Sequence, residues 1–354
     1  RSEIPKGTVL CAMEEVGEAP APMEIEDKEE EDYCEMLCKG VDEAVTEEER
    51  TKLKGLLTRY PMVFSQGPMD MGRTDQVMHA IDTGDNRPVR QALRPQPLSM
   101  EKEIDHHLQE MLDVGSISPS YSDWSSNVVM VRKKDGSLRF CVDYRKLNEK
   151  TVKDVYPLPR IDTCMDTLSG AVWYSTFDLR SGYHQVVLDP QDAHKTTFHT
   201  KRGSFQFNVL PFGLCNAPGT FQRLMDLVLS GLNYDICLVY IDDIIIFSKD
   251  INNHLVRLEL MFLRLKDAHL KLKPSKCHLL QKRVLFLGHI VSSEGISTDP
   301  DKISAVKNWP TPRSVRDVRS FVGLCSYYRR YMQGFAYIAE PLHALTKKNQ
   351  KFKW

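Results

Sequence analysis

The most informative hydrophobic pattern in the chain is a pair of apolar runs that meet at two adjacent aspartates. In the segment CLVYIDDIIIFS, residues 237–248, Asp242 and Asp243 lie between runs that are rich in β-branched residues and contain no Gly or Pro. Such runs are typical of buried strands, so the segment predicts a β-hairpin with the carboxylates at its turn. A surface hairpin with an ordinary Asp-Asp turn is the alternative interpretation.

A third aspartate favours the buried hairpin. Asp178 ends a strand-like run at 172–177, and Arg180-Ser181-Gly182 then turn the chain. Buried carboxylates need a compensating cation, and magnesium prefers carboxylate oxygen. Two metals about 3.5 to 4 Å apart can activate a hydroxyl and stabilise a leaving oxygen in phosphoryl transfer. Because adjacent strand residues face opposite ways, we expect Asp178 and Asp242 to bridge the metals, with Asp243 second in importance.

Periodicity and capping signals predict further elements. Thr46 and Glu49 form a capping box at the start of a helix that ends before Pro61. Prolines 88, 95 and 97 indicate an extended arm. The other predicted elements are helices at 99–114 and 254–272, strands at 127–132, 138–144 and 284–291, and helices that begin after the N-caps Asp299 and Ser314.

The net charge of −1 conceals a strong division along the chain. Residues 1–50 contain 5 basic and 17 acidic residues, a balance of −12, which leaves 42 basic and 31 acidic residues, or +11, for the rest. The net positive charge of residues 51–354 suits a polyanionic partner such as nucleic acid. The acidic segment from Glu24 to Glu49 has little to bury, so it predicts a disordered or partly helical linker.

Length and cysteine usage bound the class of protein. A chain of 354 residues exceeds the usual single core, so several subdomains are expected. The apolar stretches are too short to span a bilayer, no signal-peptide pattern occurs, and the first methionine is Met13, which suggests a piece of a longer polyprotein. Nine scattered cysteines are typical of reduced thiols, so we expect an intracellular protein.

Seven sequence blocks together resemble the reverse transcriptases of gypsy-type (Metaviridae) long-terminal-repeat retrotransposons. They occur in that family's order, over roughly residues 78–348. The blocks are RKKDGSLRFCVDYRKLN (132–148), YPLPRID (156–162), FDLRSGYHQV (177–186), LPFGLCNAPGTFQ (210–222), LVYIDDIIIFS (238–248), LKLKPSKC (270–277) and FLGHIVSSEGI (286–296).

The resemblance implies an α+β right-hand polymerase fold of fingers, palm and thumb, with an antiparallel palm sheet and a helical thumb. The implied activity is that of an RNA-directed DNA polymerase, a nucleotidyltransferase that acts in cytoplasmic retrotransposon particles. The expected domains are a disordered acidic linker (1–45), an N-terminal helix and extended arm (46–98), fingers (99–165 and 188–215), palm (166–187 and 216–295), thumb (296–345) and the start of a connection to an absent ribonuclease H domain (346–354).

The resemblance also assigns roles at the nucleotide site. Asp178, Asp242 and Asp243 match the catalytic metal ligands, which implies two Mg²⁺ ions, with Mn²⁺ as the alternative. Either Lys133 or Lys134, together with Arg139, matches the residues that hold the triphosphate, although a cation-rich turn is more often simply solvated. Tyr183 matches the steric gate against a ribose 2′-hydroxyl, or is a core aromatic. Phe212, where retroviral relatives carry Gln, is expected to pack beside the nucleotide.

Nucleic-acid contacts are implied elsewhere. Leu287, Gly288 and His289 match the primer grip, where glycine permits close backbone approach, or form a plain strand-to-turn segment. Tyr240, Arg316 and Arg319 are expected to contact primer and template, with the arginines on a thumb helix that follows the duplex backbone. The implied partners are an RNA template, a DNA or tRNA primer, the RNA–DNA hybrid and dNTPs, with no membrane. Related enzymes are often dimers, so a homodimer is also considered.

Other functions are weaker interpretations. The triplet Asp82-Thr83-Gly84 is typical of aspartic proteases, but the following Asp85-Asn86-Arg87-Pro88 replaces the small and apolar residues that a catalytic loop needs. A catalytically inactive nucleic-acid-binding remnant is a second alternative, against which the intact aspartates argue. A DNA-only polymerase of the same palm type is a third, to be distinguished by template preference.

Overall fold

The computed structural model describes residues 32–67, 69–132, 136, 138–347 and 352. The helices are α1 (Tyr33–Lys39), α2 (Glu47–Arg59), α3 (Leu98–Asp113), α4 (Arg145–Lys150), α5 (Ile161–Thr167), α6 (Ala217–Val228), α7 (Ile251–Asp267), α8 (Pro300–Lys307), α9 (Val315–Tyr327) and α10 (Phe335–Leu345). The strands are β1 (Thr74–His79), β2 (Ile117–Pro119), β3 (Ser126–Arg132), β4 (Leu138–Val142), β5 (Trp173–Asp178), β6 (Val186–Leu188), β7 (Phe198–Thr200), β8 (Gly203–Phe207), β9 (Cys237–Tyr240), β10 (Asp243–Ser248), β11 (His278–Gln281), β12 (Arg283–Phe286), β13 (His289–Ser292) and β14 (Gly295–Thr298).

A four-stranded antiparallel sheet, here called the palm sheet, carries the aspartates. Its strand order is β11-β5-β10-β9. The predicted hairpin is confirmed, because β9 and β10 pair on either side of a two-residue turn at Ile241 and Asp242. The strand predicted to end at Asp178 is confirmed as well, and it lies beside β10.

The palm sheet is buried on both faces, which explains its uninterrupted apolar runs. On β10, Ile244 and Ile246 belong to the main core, whereas Ile245 and Phe247 belong to a second cluster. Helices α6 and α7 contribute to the main core, and α5 with β12 and β13 contributes to the second. A strand buried on both sides has no polar face, so alternation is lost.

A five-stranded sheet, here called the fingers sheet, joins two separate parts of the chain. Its order is β2-β8-β7-β3-β4, so residues 117–142 and 198–207 share one sheet. The predicted hairpin at 127–144 is confirmed as β3 and β4. Residues 80–97 contain no named helix or strand and cross to the sheet through a bridge between Arg90 and Ser125, as expected of an extended arm.

Two predicted elements have different limits in the structure. The strand predicted at 284–291 is wrong, because left-handed conformations at Leu287 (φ 47°) and Gly288 (φ 71°) turn the chain between β12 and β13. The helix predicted at 254–272 begins earlier, where the Asp250 side chain accepts from the Asn253 amide. It ends before His269, whose φ of 55° is incompatible with a continuing α-helix.

Of the two states predicted for the acidic linker, disordered or partly helical, residues 32–45 adopt the partly helical one, and the prediction that this segment has little to bury is wrong. Residues 33–39 form α1, and Cys34, Leu37, Val41 and Val45 are buried in the main core. These apolar side chains are few, and the acidic residues around them obscured their pattern in the sequence. Residues 1–31 lie outside the described residues.

Capping at two helices follows the sequence. The reciprocal capping box between Thr46 and Glu49 is present at α2, and the Ser314 hydroxyl accepts from the Asp317 amide at α9. Helix α8 begins at Pro300, as predicted. Within the described part of the chain, every helix is too short or too polar to cross a membrane.

Candidate active site

The pairing of β5 with β10 brings two of the predicted aspartates together. Asp178 and Asp243 are direct partners in the antiparallel register. Side chains at such positions leave the same face of a sheet with their Cβ atoms about 4.5 to 5.5 Å apart. The register therefore assembles two carboxylates that are sixty-five positions apart in the sequence.

The turn between β9 and β10 sets the position of the third aspartate. Ile241, the first turn residue, has a φ of 55°. Left-handed backbone costs an L-residue about 1 to 2 kcal/mol, and a two-residue turn with a positive first φ normally carries glycine there. The surrounding structure thus holds a β-branched residue in an unfavourable conformation directly before Asp242.

Asp242 is the most strongly perturbed carboxyl group of the site. Burial, followed by the charges of Asp178 and Asp243, raises its pKa from 3.8 to about 7. Its Oδ1 atom is buried and has no hydrogen-bond partner among the described residues. Gly182 packs against it so closely that a Cβ atom there would lie 2.9 Å from Oδ1 and 3.0 Å from Phe221 Cζ.

Asp243 and Asp178 lie at a more open cleft. Burial of the carboxyl group, and then Asp178, raises the pKa of Asp243. The Lys276 ammonium donates to Asp178 Oδ2 at 2.5 Å. A cleft of about 500 Å³ adjoins these three side chains and reaches Leu287 at the β12–β13 turn. Lys276 lies in the block 270–277, but its pairing with Asp178 was not predicted.

The three carboxylates fit the chemistry of a divalent-cation site without forming a finished one. Among the described residues, no three His, Cys, Asp or Glu side chains are already grouped around a common point. Asp242 Oδ1 has no hydrogen-bond partner among the described residues, and burial followed by mutual repulsion raises the pKa values of Asp242 and Asp243; both observations indicate a need for positive charge. Hard divalent cations satisfy that need with oxygen ligands.

The two aromatic residues predicted at the nucleotide site pack against each other, and Tyr183 lies near Asp242. The Tyr183 ring is 5.2 Å from that of Phe212 and 5.4 Å from that of Phe221. Burial, with a contribution from Asp242, raises the pKa of Tyr183 to about 12, so its hydroxyl stays protonated at neutral pH. Phe212 is about half exposed and therefore offers a ring face to a ligand.

The structure describes only one of the three cationic residues predicted to bind phosphate. Lys133 and Lys134 lie outside the described residues. Arg139 is exposed on β4, in the fingers sheet. Its role in holding a triphosphate stays a prediction.

The predicted primer grip is held by tyrosines of the carboxyl-terminal helices. Tyr327 donates to the Leu287 carbonyl at 2.7 Å, and Tyr328 donates to the Gly288 carbonyl at 3.3 Å. The His289 ring is buried and packs against three tyrosine rings, 5.4 to 5.6 Å away. Burial lowers the pKa of His289. The His289 ring therefore supports the turn, and the predicted contact of Leu287, Gly288 and His289 with a primer stays a prediction.

The remaining nucleic-acid residues are accessible. Tyr240 is partly exposed beside the aspartates, at the end of β9. Arg316 and Arg319 are exposed on α9, away from its buried residues Val318 and Val322. Their predicted contacts with primer and template are compatible with this placement.

Comparison with known proteins agrees with the geometry. Residues 131–291 match the family model described as reverse transcriptase (RNA-dependent DNA polymerase). The chain is 40% identical over 312 residues to the Pol polyprotein of transposon 297 from Drosophila melanogaster, and 36% identical over 312 residues to that of transposon gypsy. These matches cover 87% and 86% of the chain and 30% of each relative, so the chain spans about a third of their length.

Solved structures show the same fold. The chain matches a foamy viral protease-reverse transcriptase in complex with double-stranded DNA with a TM-score of 0.83 at 24% identity, covering 91% of this chain and 57% of that one. A foamy viral protease-reverse transcriptase in complex with an RNA/DNA hybrid gives a TM-score of 0.79 at 24% identity, covering 91% and 44%. The predicted α+β right-hand fold is thus confirmed.

Proposed function

Since residues 131–291 form a domain of the reverse transcriptase family, related to those of gypsy-type retrotransposon Pol polyproteins, we propose that this chain is an RNA-directed DNA polymerase. The observation that carries the proposal is the cluster of Asp178, Asp242 and Asp243 at one end of the palm sheet, in which one buried carboxylate oxygen has no hydrogen-bond partner within the described part of the chain. Such a cluster suits the transfer of a nucleotidyl group to a primer 3′-hydroxyl.

The three aspartates are the residues that would hold two Mg²⁺ ions. Bound there, the ions would lower the pKa of the attacking hydroxyl and neutralise charge on the leaving oxygen. The carboxylates themselves orient the site, since β5 and β10 fix Asp178 and Asp243 in register. Lys276 balances the charge of Asp178 and lies where it can also meet a phosphate.

Tyr183 and Phe212 shape the pocket for a deoxynucleoside triphosphate. The Tyr183 ring is wedged between Phe212 and Phe221, so it cannot move aside easily for a bulkier sugar. We assign Tyr183 as the group that excludes a ribose 2′-hydroxyl. Phe212 contributes an apolar surface beside the nucleotide.

The proposed nucleic-acid partners are an RNA or DNA template with a DNA primer. The exposed arginines of α9 support this, because cations that face solvent can neutralise backbone phosphates. The structurally similar foamy viral enzymes were solved with double-stranded DNA and with an RNA/DNA hybrid. A homodimer is a further proposal, which sedimentation of the chain with and without a duplex tests.

The deciding experiment is Mg²⁺-dependent extension of a DNA primer on an RNA template. The unmodified chain is expected to extend the primer, and Asp242→Asn to abolish extension while duplex binding is retained. Asp85→Asn, at an exposed surface turn, is the matched control and should retain activity. Duplex binding without extension by the unmodified chain would overturn the proposal in favour of an inactive nucleic-acid-binding remnant.

A further inference from the structure

A buried glutamine on α6 contacts the strained residue of the aspartate turn. Gln222 is completely buried, and its Oε1 atom accepts a hydrogen bond from the Ile241 amide at 2.8 Å. This amide belongs to the residue with a φ of 55°. Asp242 follows Ile241 directly, so this hydrogen bond acts on the backbone that sets the position of the Asp242 carboxylate.

The orientation of the Gln222 amide is fixed from its other end. Its Nε2 atom donates to Asp226 Oδ1 at 3.1 Å, with a longer contact to the Val239 carbonyl at 3.5 Å. A carboxylate only accepts, so the Gln222 NH₂ group must face Asp226 and the oxygen must face Ile241. A carboxamide can satisfy both partners at once, whereas a carboxylate of the same shape would repel Asp226.

Asp226 is itself held by two further donors. The Tyr156 hydroxyl donates to its Oδ2 atom at 2.7 Å, and Asn233 Nδ2 donates to its Oδ1 atom at 3.2 Å. The result is a continuous chain of hydrogen bonds from Tyr156 through Asp226 and Gln222 to the backbone of Ile241. Networks of this kind restrict motion because each member limits the geometry of the next.

We propose that Gln222 is a positioning residue for Asp242: it holds the Ile241 backbone in its left-handed conformation so that the Asp242 carboxylate stays beside Asp178 and Asp243. This inference rests on the proposed polymerase function for its catalytic consequence, although not for its structural one. Gln222 itself touches none of the reacting atoms.

The test compares Gln222→Met, which keeps the side-chain length and removes both hydrogen bonds, with Thr220→Val as the matched control. Thr220 lies on the same helix and donates or accepts one buried hydrogen bond with His79 at 2.8 Å, away from the turn. Gln222→Met is expected to lower kcat for primer extension by about 10- to 100-fold, with little change in duplex affinity. Thr220→Val should stay within about twofold of the unmodified chain.

Hydrogen exchange of the Ile241 amide provides a measurement that does not depend on activity. In Gln222→Met this amide should exchange faster, while the amides paired between β5 and β10 should keep their protection. Unchanged exchange at Ile241, or an unchanged kcat despite faster exchange, overturns the proposal. If the unmodified chain extends no primer, the polymerase function fails, and the exchange measurement alone decides whether Gln222 holds the turn.

Two further variants test whether Gln222 affects catalysis through the Ile241 backbone. Tyr156→Phe removes only the outermost hydrogen bond and should give a smaller change in the same direction, even if Gln222→Met does not fold. Ile241→Gly adopts a positive φ freely, so the loss caused by Gln222→Met should be smaller in that background. An equal loss in both backgrounds would show that Gln222 acts through general packing and would overturn its assignment as a positioning residue.

Discussion

Replacing Asp242 by Asn is expected to stabilise the metal-free fold while it abolishes activity. In the folded chain, burial and the neighbouring aspartates raise the pKa of Asp242 from 3.8 to about 7. The folded state therefore binds a proton more tightly than the unfolded state, and ionisation of this group opposes folding. Asn has a similar shape and no group that ionises, so the variant does not lose stability through ionisation at this position.

The sign and size of the effect follow from the pKa difference. The contribution of the Asp242 carboxyl group to the free energy of unfolding is fully present below pH 4. It falls as the pH rises from about 4 to about 7 and is lost above that range. A pKa difference of about three corresponds to about 4 kcal/mol, and solvent at the rim of the cleft lowers this to about 2 to 4 kcal/mol. The advantage of Asp242→Asn should thus be largest at pH 8 and should shrink towards pH 4.

The assay is urea unfolding in the presence of a chelator, performed at several pH values for both chains. Asp85→Asn, in an exposed turn, controls for loss of one negative charge and should show no comparable pH-dependent gain. Equal unfolding free energies for the unmodified chain and Asp242→Asn at pH 8 would refute the reasoning. In that case the carboxylates would not be in electrostatic conflict before a cation binds.

Three other changes test separate parts of the structure. Tyr183→Val should raise the ratio of ribonucleotide to deoxynucleotide incorporation in single-turnover extension, because the ring that blocks the 2′-hydroxyl is removed; unchanged sugar selection would contradict the assignment. Gly182→Ala should lower kcat by about tenfold or more through displacement of Asp242, with duplex affinity unchanged, and full activity would show that the contact is not restrictive. Leu37→Ala should destabilise the fold by about 2 to 5 kcal/mol in urea unfolding, whereas exposed Glu35→Ala should have little effect; equal stability of the two variants would place α1 outside the cooperative core.

The aspartate hairpin was predictable because its signal is local. Two β-branched runs around Asp242 and Asp243 specify paired strands, and burial of both sheet faces removes the polar alternation that would have weakened the pattern. The partner Asp178 could be found from its own strand-ending position. Its register opposite Asp243 depends on long-range pairing, which no sequence window contains.

Features that depend on tertiary contacts were missed. The acidic residues near α1 outnumber its apolar ones, yet Leu37 is buried in a core that later segments of the chain build, so even a short apolar face suffices. Lys276 and Gln222 lie within recognised blocks, but their partners are far away in the sequence. The turn at Leu287 was read as a strand because the left-handed conformation of a leucine has no composition signal.

The position of α1 also determines when the protein can first fold during synthesis. The Gln281 side chain donates to the Gly40 carbonyl, and the Asp42 amide donates to the Leu280 carbonyl, so the first described helix is joined to the last palm strand. A ribosome must therefore deliver about 240 further residues before the early segment reaches its partners. Until β11 emerges, the Gly40 carbonyl, the Asp42 amide and one edge of β5 lack these partners, and an unpaired strand edge is a site at which a growing chain can aggregate.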